Sequence, residues 1–495
     1  MAYFEAHHKL VHAEALQLLL ETAHPLAVSR ELLKDAGADS PFVTREMVEG
    51  ALARLALSRA GAVAILRPND PLPRPSAPMA PPFEMILEGF NEAPAGQAPL
   101  AAFEGLFRSR FQTLSRLMRG RPDLPNLRPV AELRDHEGTA SVLAMVREVR
   151  ETPEKHHLIL RVEDDTGSVE ALVLRDSPPA ALTFLPDEVV GLRLTFGREK
   201  GRIPRVTMVQ RPEVPLSRVP HRSRHTSRVL FLSDLHIGSR SFMAEAWGQL
   251  VDFLHSRGPN PELAHQIHHV VVAGDLVDGI GIYPGQERDL AIPDIFEQYA
   301  ELGRRLRELP DRLQIVVLPG NHDAVCPAEP QPGLPPEIRQ ELPPNVRSVG
   351  NPSTFALEGV VIGAYHGRSF DDLIPALPGA SYARPTDVMK RMLAMRHLGP
   401  IYGERTPLAP LPRDGLVIDP VPEILVTGHA HTYGVDQYRG TLLLNASTWQ
   451  AETEYQRMRN ITAVPAKAAV VSLEDLSVTT LDFLPSKPVV GSVAA

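Results

Sequence analysis

Apolar runs alternate with polar segments along the C-terminal half of the chain, in a pattern typical of α/β proteins. Five runs have the length of a buried strand, and each ends in polar residues where a strand gives way to a loop. These runs read RVLFLSDLH, HHVVVAGDL, LQIVVLPGNHD, GVVIGAYHG and PEILVTGHAH. We therefore predict an α/β domain over residues 226–490, with its functional groups at the carboxyl ends of the strands.

Residues 128–217 follow a different pattern, in which five short β-rich runs are separated by turn residues. Asp165, Thr166 and Gly167 mark a tight turn between the second and third runs. Five strands predict an OB-like β-barrel, a class that often binds single-stranded nucleic acid on exposed aromatic rings. Phe184 and Phe196 are the only aromatic residues here, so we favour contact with another protein as the role of this domain.

The first 127 residues contain helical patterns on both sides of a proline-rich stretch. Apolar spacing over 8–23, with N-cap residues Ser29 and Thr44 further on, predicts a helical module over 1–65. Residues 66–100 include the aperiodic run PNDPLPRPSAPMAPP and are predicted to form a linker.

Residues 101–127 are predicted to form an amphipathic helix. Apolar side chains recur at helical spacing, and five arginines lie elsewhere around the helix. We expect the helix to pack on its own domain and to leave its basic face in solvent. The alternative is that this face binds a partner protein or lies along DNA.

Composition limits the classes of protein to which the chain can belong. Its 495 residues are too many for one compact core and predict about two to four domains. The single cysteine, Cys326, excludes an internal disulfide framework, and no apolar run reaches the roughly 18 residues of a membrane helix. A net charge of −9 argues against a protein that coats DNA through a broad basic surface. Without a secretory signal, a cytoplasmic location is expected.

Candidate metal ligands stand at the ends of the five apolar runs. Carboxylate, amide oxygen and imidazole together suit manganese, iron or zinc, whereas a purely oxygen-lined set suits magnesium or calcium. Each cluster alone is a weak signal, but five in succession rarely arise by chance. The candidate ligands are Asp234, His236, Asp275, Asn321, His366, His429 and His431, and His322 stands beside Asn321.

The order of these motifs resembles the calcineurin-like metallophosphoesterase superfamily, over roughly residues 228–485. The resemblance implies a sandwich of two β-sheets flanked by helices. It also implies that Asp275 bridges two divalent ions, while His322 stays off the metals and stabilises or protonates the leaving oxygen. The other six ligands would divide into Asp234, His236 and His431 on one ion, and Asn321, His366 and His429 on the other.

Two further segments resemble the small subunit of the archaeal D-family DNA polymerase. Residues 274–299 read GDLVDGIGIYPGQERDLAIPDIFEQY, and residues 445–456 read NASTWQAETEYQ. The succession of helical module, linker, OB-like barrel and phosphoesterase domain is similar as well. This resemblance implies a proofreading 3′–5′ exonuclease that acts on single-stranded or primer-end DNA. It also implies a separate large catalytic subunit as partner, with the sliding clamp as a further one.

Two-metal catalysis is the chemistry that this resemblance implies. Two ions about 3.5–4 Å apart can polarise a phosphate and supply hydroxide at neutral pH. Manganese is the expected metal, with iron, zinc or magnesium as alternatives. Asp275 and His322 are the expected catalytic residues, and Asp323 either orients His322 or caps its loop. The loop around Tyr283 either contacts the large subunit, which we favour, or shapes the entrance of the site.

Two other functions remain open at this point. The chain could be a non-catalytic scaffold that bridges the polymerase to replication partners, which an intact ligand set argues against as its whole role. It could also be a small-molecule phosphodiesterase, for which an OB-like domain and a long linker have no evident use. Comparing turnover of p-nitrophenyl esters with turnover of oligonucleotides separates the enzymatic alternatives, and a lack of metal binding would favour the scaffold.

Overall fold

The computed structural model describes most of the chain after residue 99 and short pieces before it. The described residues are 10–11, 42–43, 47–48, 64–65, 83–90, 100–134, 136–197, 203–258, 260–453, 456–457 and 462–484. Most of the predicted helical module and much of the predicted linker lie outside these ranges.

The described residues form a mixed α/β structure with seven α-helices and twenty strands. The helices are α1 (Leu100–Met118), α2 (Ala244–Leu254), α3 (Pro261–Gln266), α4 (Ile295–Arg307), α5 (Pro336–Arg339), α6 (Phe370–Ala376) and α7 (Pro385–Met395). The strands are β1 (Leu10–Val11), β2 (Phe42–Val43), β3 (Ala64–Ile65), β4 (Phe83–Glu88), β5 (Gly138–Glu151), β6 (Leu158–Asp164), β7 (Gly167–Val173), β8 (Val189–Phe196), β9 (Arg205–Gln210), β10 (Arg228–Leu232), β11 (Ile267–Ala273), β12 (Gln314–Leu318), β13 (Val346–Ser348), β14 (Ser353–Leu357), β15 (Val360–Ala364), β16 (Ile424–Thr427), β17 (Gly434–Tyr438), β18 (Thr441–Asn445), β19 (Lys467–Ser472) and β20 (Val478–Asp482).

Two mixed sheets form the C-terminal α/β part. One has the strand order β13-β12-β11-β10-β19-β20-β3, and the other has the order β17-β18-β16-β15-β14-β4. Strands β10 to β13 run parallel in the first sheet, as do β15, β16 and β18 in the second. Neighbouring parallel strands bring their carboxyl ends to one edge of the sheet, which is where functional groups collect in α/β proteins.

Each sheet is apolar on both faces. In β10, Val229 and Phe231 enter the core between the two sheets, whereas Leu230 and Leu232 pack beneath helices, because successive side chains of a strand point to opposite faces. Helices α2, α3 and α4 cover the seven-stranded sheet, and α6 and α7 cover the six-stranded one. The result is a two-sheet sandwich flanked by helices, in agreement with the predicted arrangement.

Strands β5 to β9 close into a barrel in the order β5-β6-β7-β9-β8. The number of strands is the predicted one, while assignment of the barrel to the OB class stays a prediction. Phe184 is buried in the apolar interior and Phe196 packs against it. Neither ring offers an exposed platform for a base, which is consistent with the expectation that this domain does not stack nucleotides.

Helix α1 lies between the barrel and the sandwich. Leu106 packs into the core beneath α6 and α7, and Leu114 and Met118 pack against β5 and β8 of the barrel. Arg116 is exposed, as predicted for a solvated basic face. The same prediction is wrong for Arg110, whose side chain is fully buried against Asp414, because the helix is covered on two sides rather than one.

Two strands occupy segments for which other structure was expected. Strand β1 lies within the first predicted helix and pairs in parallel with β2. Strand β4 lies within the predicted linker, yet it pairs antiparallel with β14 at the edge of the six-stranded sheet. Its six residues follow a proline-rich stretch, and their partner strand is remote in sequence, so no local pattern marked them. Met47 and Val48 are helical, as expected for the helix predicted to begin after the N-cap residue Thr44.

Candidate metal centre

The seven predicted ligands converge at one edge of the sandwich. Asp234, Asp275 and Asn321 follow the adjacent parallel strands β10, β11 and β12. His366 follows β15 and His429 follows the neighbouring strand β16 of the other sheet. The two groups of strand ends face each other across the sandwich, so residues that are up to 197 positions apart in the chain (Asp234 to His431) meet in one cluster.

Most of these residues have a strained backbone. The φ angles of Asp234, His236, Asp275, His429 and His431 are 52°, 48°, 49°, 63° and 54°. Left-handed conformations of this kind are unfavourable for residues other than glycine, by about 1–3 kcal/mol each, and they concentrate at functional sites. The strain turns the side chains inward from the strand ends toward a common point.

Two glycines allow the strand ends to approach each other. A Cβ atom on Gly320 would lie 2.2 Å from Asp275 Oδ1, and one on Gly428 would lie 2.4 Å from Asp234 Oδ2. Both distances are far below van der Waals contact, so no larger residue fits without displacing a carboxylate. The glycines beside the ligands therefore serve the close approach expected of them.

Asp275 stands at the centre of the cluster. Its Oδ1 accepts a hydrogen bond from the backbone amide of His322 at 2.9 Å. Its Oδ2 faces three imidazole nitrogens, at 3.8 Å from His236 Nε2, 3.8 Å from His322 Nε2 and 3.3 Å from His366 Nε2. One carboxylate oxygen is thus shared by side chains on both sides of the cluster, as a bridging ligand requires.

The remaining donors flank Asp275 on two sides. On one side, His431 Nε2 lies 3.2 Å from Asp234 Oδ1 and 3.0 Å from His236 Nε2. On the other side, His366 Nε2 lies 3.1 Å from Asn321 Oδ1. Ligand atoms of Asp234, His236 and His431 lie within 4.8 Å of one another, and so do those of Asp275, His366 and His429. A third such group combines His236, Asp275 and His322, so His322 is also within reach of an ion.

Three of the histidines are held by a partner on the ring nitrogen that faces away from the cluster. His236 Nδ1 lies 3.0 Å from Asp278 Oδ1, His366 Nδ1 lies 2.9 Å from Ala273 O, and His429 Nε2 lies 3.3 Å from Asp371 Oδ1. A proton on that outer nitrogen leaves a lone pair on the inner one, which is the arrangement of histidine ligands in metalloproteins.

His431 is held differently, because its Nδ1 lies 2.6 Å from the amide nitrogen of Gln456. A metal on His431 Nε2 requires a proton on Nδ1, and therefore requires the oxygen of the Gln456 amide to face the ring. That rotation of the amide gives up the hydrogen bond of 3.0 Å that the Gln456 oxygen accepts from the Thr453 amide. The seven donors are then two carboxylates, one amide oxygen and four imidazole lone pairs, a set that suits divalent cations.

The charges in the cluster call for a cation. Burial alone would raise the pKa of Asp275, but His366 and His322 outweigh burial and hold that pKa well below its usual value. Burial would lower the pKa of His366, yet the Asp275 carboxylate raises it to about 10. For His236, burial prevails and lowers the pKa. The buried carboxylates are therefore ionised at neutral pH, and either a proton or a metal ion must balance them.

The cluster opens into a cleft of about 670 Å³. Ile282 and Tyr283 line it from one of the segments that carry the narrower resemblance, and Gln450 and Thr453 line it from the other. Both segments therefore belong to the site. The position of Tyr283 favours a role in shaping the entrance over the contact with the large subunit that we expected of this loop.

Asp323 caps its loop and does not orient His322. Its Oδ2 accepts hydrogen bonds from the amides of Gly320 at 2.8 Å and Leu276 at 3.1 Å, and its Oδ1 accepts one from the Tyr299 hydroxyl at 2.9 Å. His322 is held instead by the carbonyl oxygen of Asp278, 2.7 Å from its Nδ1. Of the two roles considered for Asp323, loop capping is the one that the structure supports.

Two carboxylates that support the histidines were not assigned that role from the sequence, in which Asp278 was expected only to stabilise its loop. Asp278 contacts both His236 and the Gln450 amide, at 3.0 Å each, and could have been found by asking which acid would hold a metal-binding histidine. Asp371 accepts a hydrogen bond of 2.6 Å from the Tyr382 hydroxyl besides contacting His429. No local signal marks Asp371, because its histidine lies 58 residues further along the chain.

Comparison with known proteins identifies the family. A family model that describes the B subunits of DNA polymerases alpha and epsilon matches residues 229–435. The DNA polymerase II small subunit of Archaeoglobus fulgidus is 44% identical over 367 residues, which cover 74% of this chain and 73% of that one. That of Methanothermobacter thermautotrophicus is 37% identical over 474 residues, covering 94% and 95% of the two chains. The chain belongs to the archaeal DNA polymerase II (D-family) small subunits.

Solved structures add less to this family assignment. An archaeal phosphodiesterase aligns with 51% of this chain and 98% of its own length, at 8% identity and a TM-score of 0.28. That score is too low to support an inference about this small subunit. Among the described residues, no helix is long and apolar enough to cross a membrane.

Proposed function

We propose that this chain is the 3′–5′ exonuclease of an archaeal D-family DNA polymerase and hydrolyses DNA phosphodiester bonds by two-metal catalysis. The observation that carries the proposal is the position of Asp275 in an open cleft, where its Oδ2 faces His236 of one ligand set and His366 of the other. Membership in the polymerase small-subunit family supports DNA as the substrate. The mixed imidazole and carboxylate donors favour manganese, with iron, zinc or magnesium as alternatives.

The metal ions would be held by Asp234, His236 and His431 on one side and by Asn321, His366 and His429 on the other, with Asp275 between them. When bound, such a pair polarises the phosphate and supplies the nucleophile. His322 lines the cleft with Nδ1 fixed on the Asp278 carbonyl oxygen, so its Nε2 is presented to the cleft. From there it can deliver a proton to the 3′-oxygen of the shortened strand as that oxygen leaves phosphorus.

The names of the relatives support a partner for this chain. A small subunit implies a large one, and we propose that the polymerising site lies in that separate chain. The five-stranded barrel, which we assign to the OB class, and helix α1 would provide protein contacts, with the sliding clamp as a further partner. The complex would act in the cytoplasm.

A digestion experiment tests the nuclease activity. The purified chain, with manganese, is given a single-stranded oligonucleotide labelled at its 5′ end, and an Asp275→Ala variant serves as control. We expect a ladder of stepwise shortened products that the variant does not form. An absence of products, with and without the large subunit, would refute the proposed activity and leave a scaffold with an unused metal site.

A further inference from the structure

Two arginines line the cleft beside the candidate metal centre without contributing to it. Arg368 follows the candidate ligand His366 by two residues, and Arg405 lies in the loop between α7 and β16. Within the described part of the chain, neither guanidinium group makes an ion pair or a hydrogen bond. Arg405 is exposed and Arg368 is half-buried, so each guanidinium can offer its donors to an anion bound in the cleft.

Arg405 is held in place through its backbone. Asp372, which is buried, accepts hydrogen bonds from the amides of Arg405 at 2.8 Å and Thr406 at 3.0 Å. The loop of Arg405 is thereby tied to helix α6. The neighbouring residue of that helix, Asp371, contacts the candidate ligand His429. One short helix therefore fixes both a histidine of the metal centre and the loop that carries a free arginine.

The acidic groups of the cleft already have partners. Asp275 is shared among the imidazoles, Asp278 is bonded to His236 and Gln450, and Asp371 is bonded to Tyr382 and faces His429. The two arginines are thus the charged side chains lining the cleft that make no hydrogen bond or ion pair among the described residues, although the charge of Arg368 also acts on the Asp371 carboxylate. A planar guanidinium matches a phosphate with two parallel hydrogen bonds, and two such groups can hold one phosphate firmly.

We propose that Arg368 and Arg405 form a subsite for the phosphate adjacent to the scissile one in a single DNA strand. The assignment of this anion to DNA rests on the proposed function. The metal centre engages the scissile phosphate, while the arginines hold the next one and so set the position of the strand. The subsite distinguishes a polynucleotide from a small phosphodiester, which has no second phosphate.

Binding without cleavage tests the subsite independently of the nuclease activity. The full chain, kept in EDTA, is titrated into a fluorescent single-stranded oligonucleotide, and anisotropy is measured at several salt concentrations. We expect the Arg368→Gln/Arg405→Gln double variant to bind at least about tenfold more weakly and to show a salt slope smaller by about 0.7 for the lost phosphate contact. Arg413 is an exposed arginine outside the cleft, and the Arg413→Gln control should bind the oligonucleotide with an affinity within twofold of the wild-type affinity. A double variant within twofold of the wild type would overturn the proposal.

Substrate choice gives a second test, with manganese present. The double variant should lose at least about tenfold in kcat/KM on the oligonucleotide, while hydrolysis of bis(p-nitrophenyl) phosphate changes less than threefold, because that ester has one phosphate. Equal losses on both substrates would place the arginines at the scissile phosphate and refute the subsite. If no substrate is cut but binding still depends on the arginines, the proposed nuclease fails and the subsite stands.

A third test alters the oligonucleotide instead of the protein, and therefore does not require that the arginine variants fold. A methylphosphonate removes the charge of one internucleotide linkage and leaves the protein unaltered. Placed next to the 3′-terminal linkage, it should weaken binding to the wild-type chain by the same factor as the double variant. Equal binding of oligonucleotides with the methylphosphonate at every position would contradict the proposal.

Discussion

The described part of the chain contains two buried clusters of histidine and aspartate, and they differ in whether an arginine of the protein balances the carboxylate charge. In the docking cluster, formed by Arg110, His397 and Asp414, Arg110 Nε donates to Asp414 Oδ2 at 2.6 Å. His397 Nε2 donates to the same oxygen at 3.0 Å, and its Nδ1 accepts from the Gly399 amide at 3.1 Å. In the candidate metal centre, by contrast, imidazole nitrogens and carboxylate oxygens face one another, and no arginine or lysine stands among the seven donors.

The titration of the histidines reflects this difference. Burial and the nearby Arg110 lower the pKa of His397 to about 4, so this ring is neutral and structural. The Asp275 carboxylate overcomes burial and raises the pKa of His366 to about 10, so this ring holds a charge that a metal can replace. Burial of a histidine beside an aspartate is therefore not in itself the mark of a site. The distinguishing feature of a metal site is a set of donors whose charge no arginine or lysine of the protein balances.

Replacing one histidine in each cluster should produce the largest contrast. His366→Ala removes a donor of the metal centre, and we expect nuclease activity to fall by at least about 1,000-fold together with the bound metal. His397→Ala should leave activity within about threefold and instead lower the free energy of unfolding by about 1–3 kcal/mol, since a buried hydrogen bond is lost. Measurements of turnover, metal content and denaturant unfolding on both variants test this difference between the two clusters. Equal losses of activity would remove the distinction between the clusters.

Removing the cation of the docking cluster should destabilise the fold. Arg110→Met leaves Asp414 buried and uncompensated, and we expect a loss of about 3–5 kcal/mol in the free energy of unfolding. Adding Asp414→Leu should recover most of that loss, because the uncompensated charge is then gone. Chemical denaturation of the single and double variants measures both effects. A single variant as stable as the wild type would show that Arg110 does not complete this cluster.

His322 should separate proton delivery from metal binding. His322→Ala is expected to slow cleavage by about 100-fold or more while the metal content is retained, since general acids contribute about 10²–10⁴-fold. An oligonucleotide with a better leaving group at the scissile bond should recover part of the rate. Loss of the metals in this variant would instead make His322 a ligand, as the third ligand group allows.

Asp278 should act on the metal centre through His236. Asp278→Asn keeps the shape of the side chain but weakens the partner of His236 Nδ1, and we expect a loss of about 10–100-fold in metal affinity. Calorimetric titration with manganese measures this affinity. Asp289→Asn, which alters the partner of Tyr283 in the same loop, is the matched control and should leave the affinity unchanged.

Glu329 should produce the smallest effect, which depends on pH. Burial raises its pKa from the ordinary 4.5 to about 7, with Tyr365 and Asn351 as hydrogen-bond donors. The folded chain therefore holds this proton more tightly than the unfolded chain, so stability is greatest below about pH 4.5 and declines as the pH rises through 7. Relative to the Glu329→Gln variant, the free energy of unfolding of the wild type should fall by on the order of 1–3 kcal/mol between pH 5 and pH 8. Parallel stability profiles for the two proteins would contradict this assignment.

The convergence of the candidate ligands was predictable from the sequence because each candidate stands at the end of a strand. An apolar run followed by Asp-x-His or Gly-His-x-His combines a structural and a chemical signal in a few residues, and parallel strands bring such ends together. Asp371, Arg368 and Arg405 lacked that combination. Their roles depend on how α6 and the loop after α7 pack over the cleft, which no periodicity encodes.

The docking cluster and strand β4 escaped prediction for a related reason. The spacing along α1 defines an apolar face, but it does not reveal that a second layer covers the opposite side and buries Arg110. Strand β4 pairs with β14, more than 250 residues further along the chain. Contacts of this kind depend on the tertiary structure, and a local pattern carries no information about them.

The central claim is that the uncompensated donors hold two metal ions. Crystals of the full chain soaked in manganese, measured near the manganese absorption edge, would locate the ions directly from the anomalous signal. The account predicts two peaks at the floor of the cleft, one on each side of Asp275 Oδ2, with His397 and Asp414 free of any peak. A map without peaks among the seven donors would contradict the metal centre, and a single peak would contradict its two-metal form.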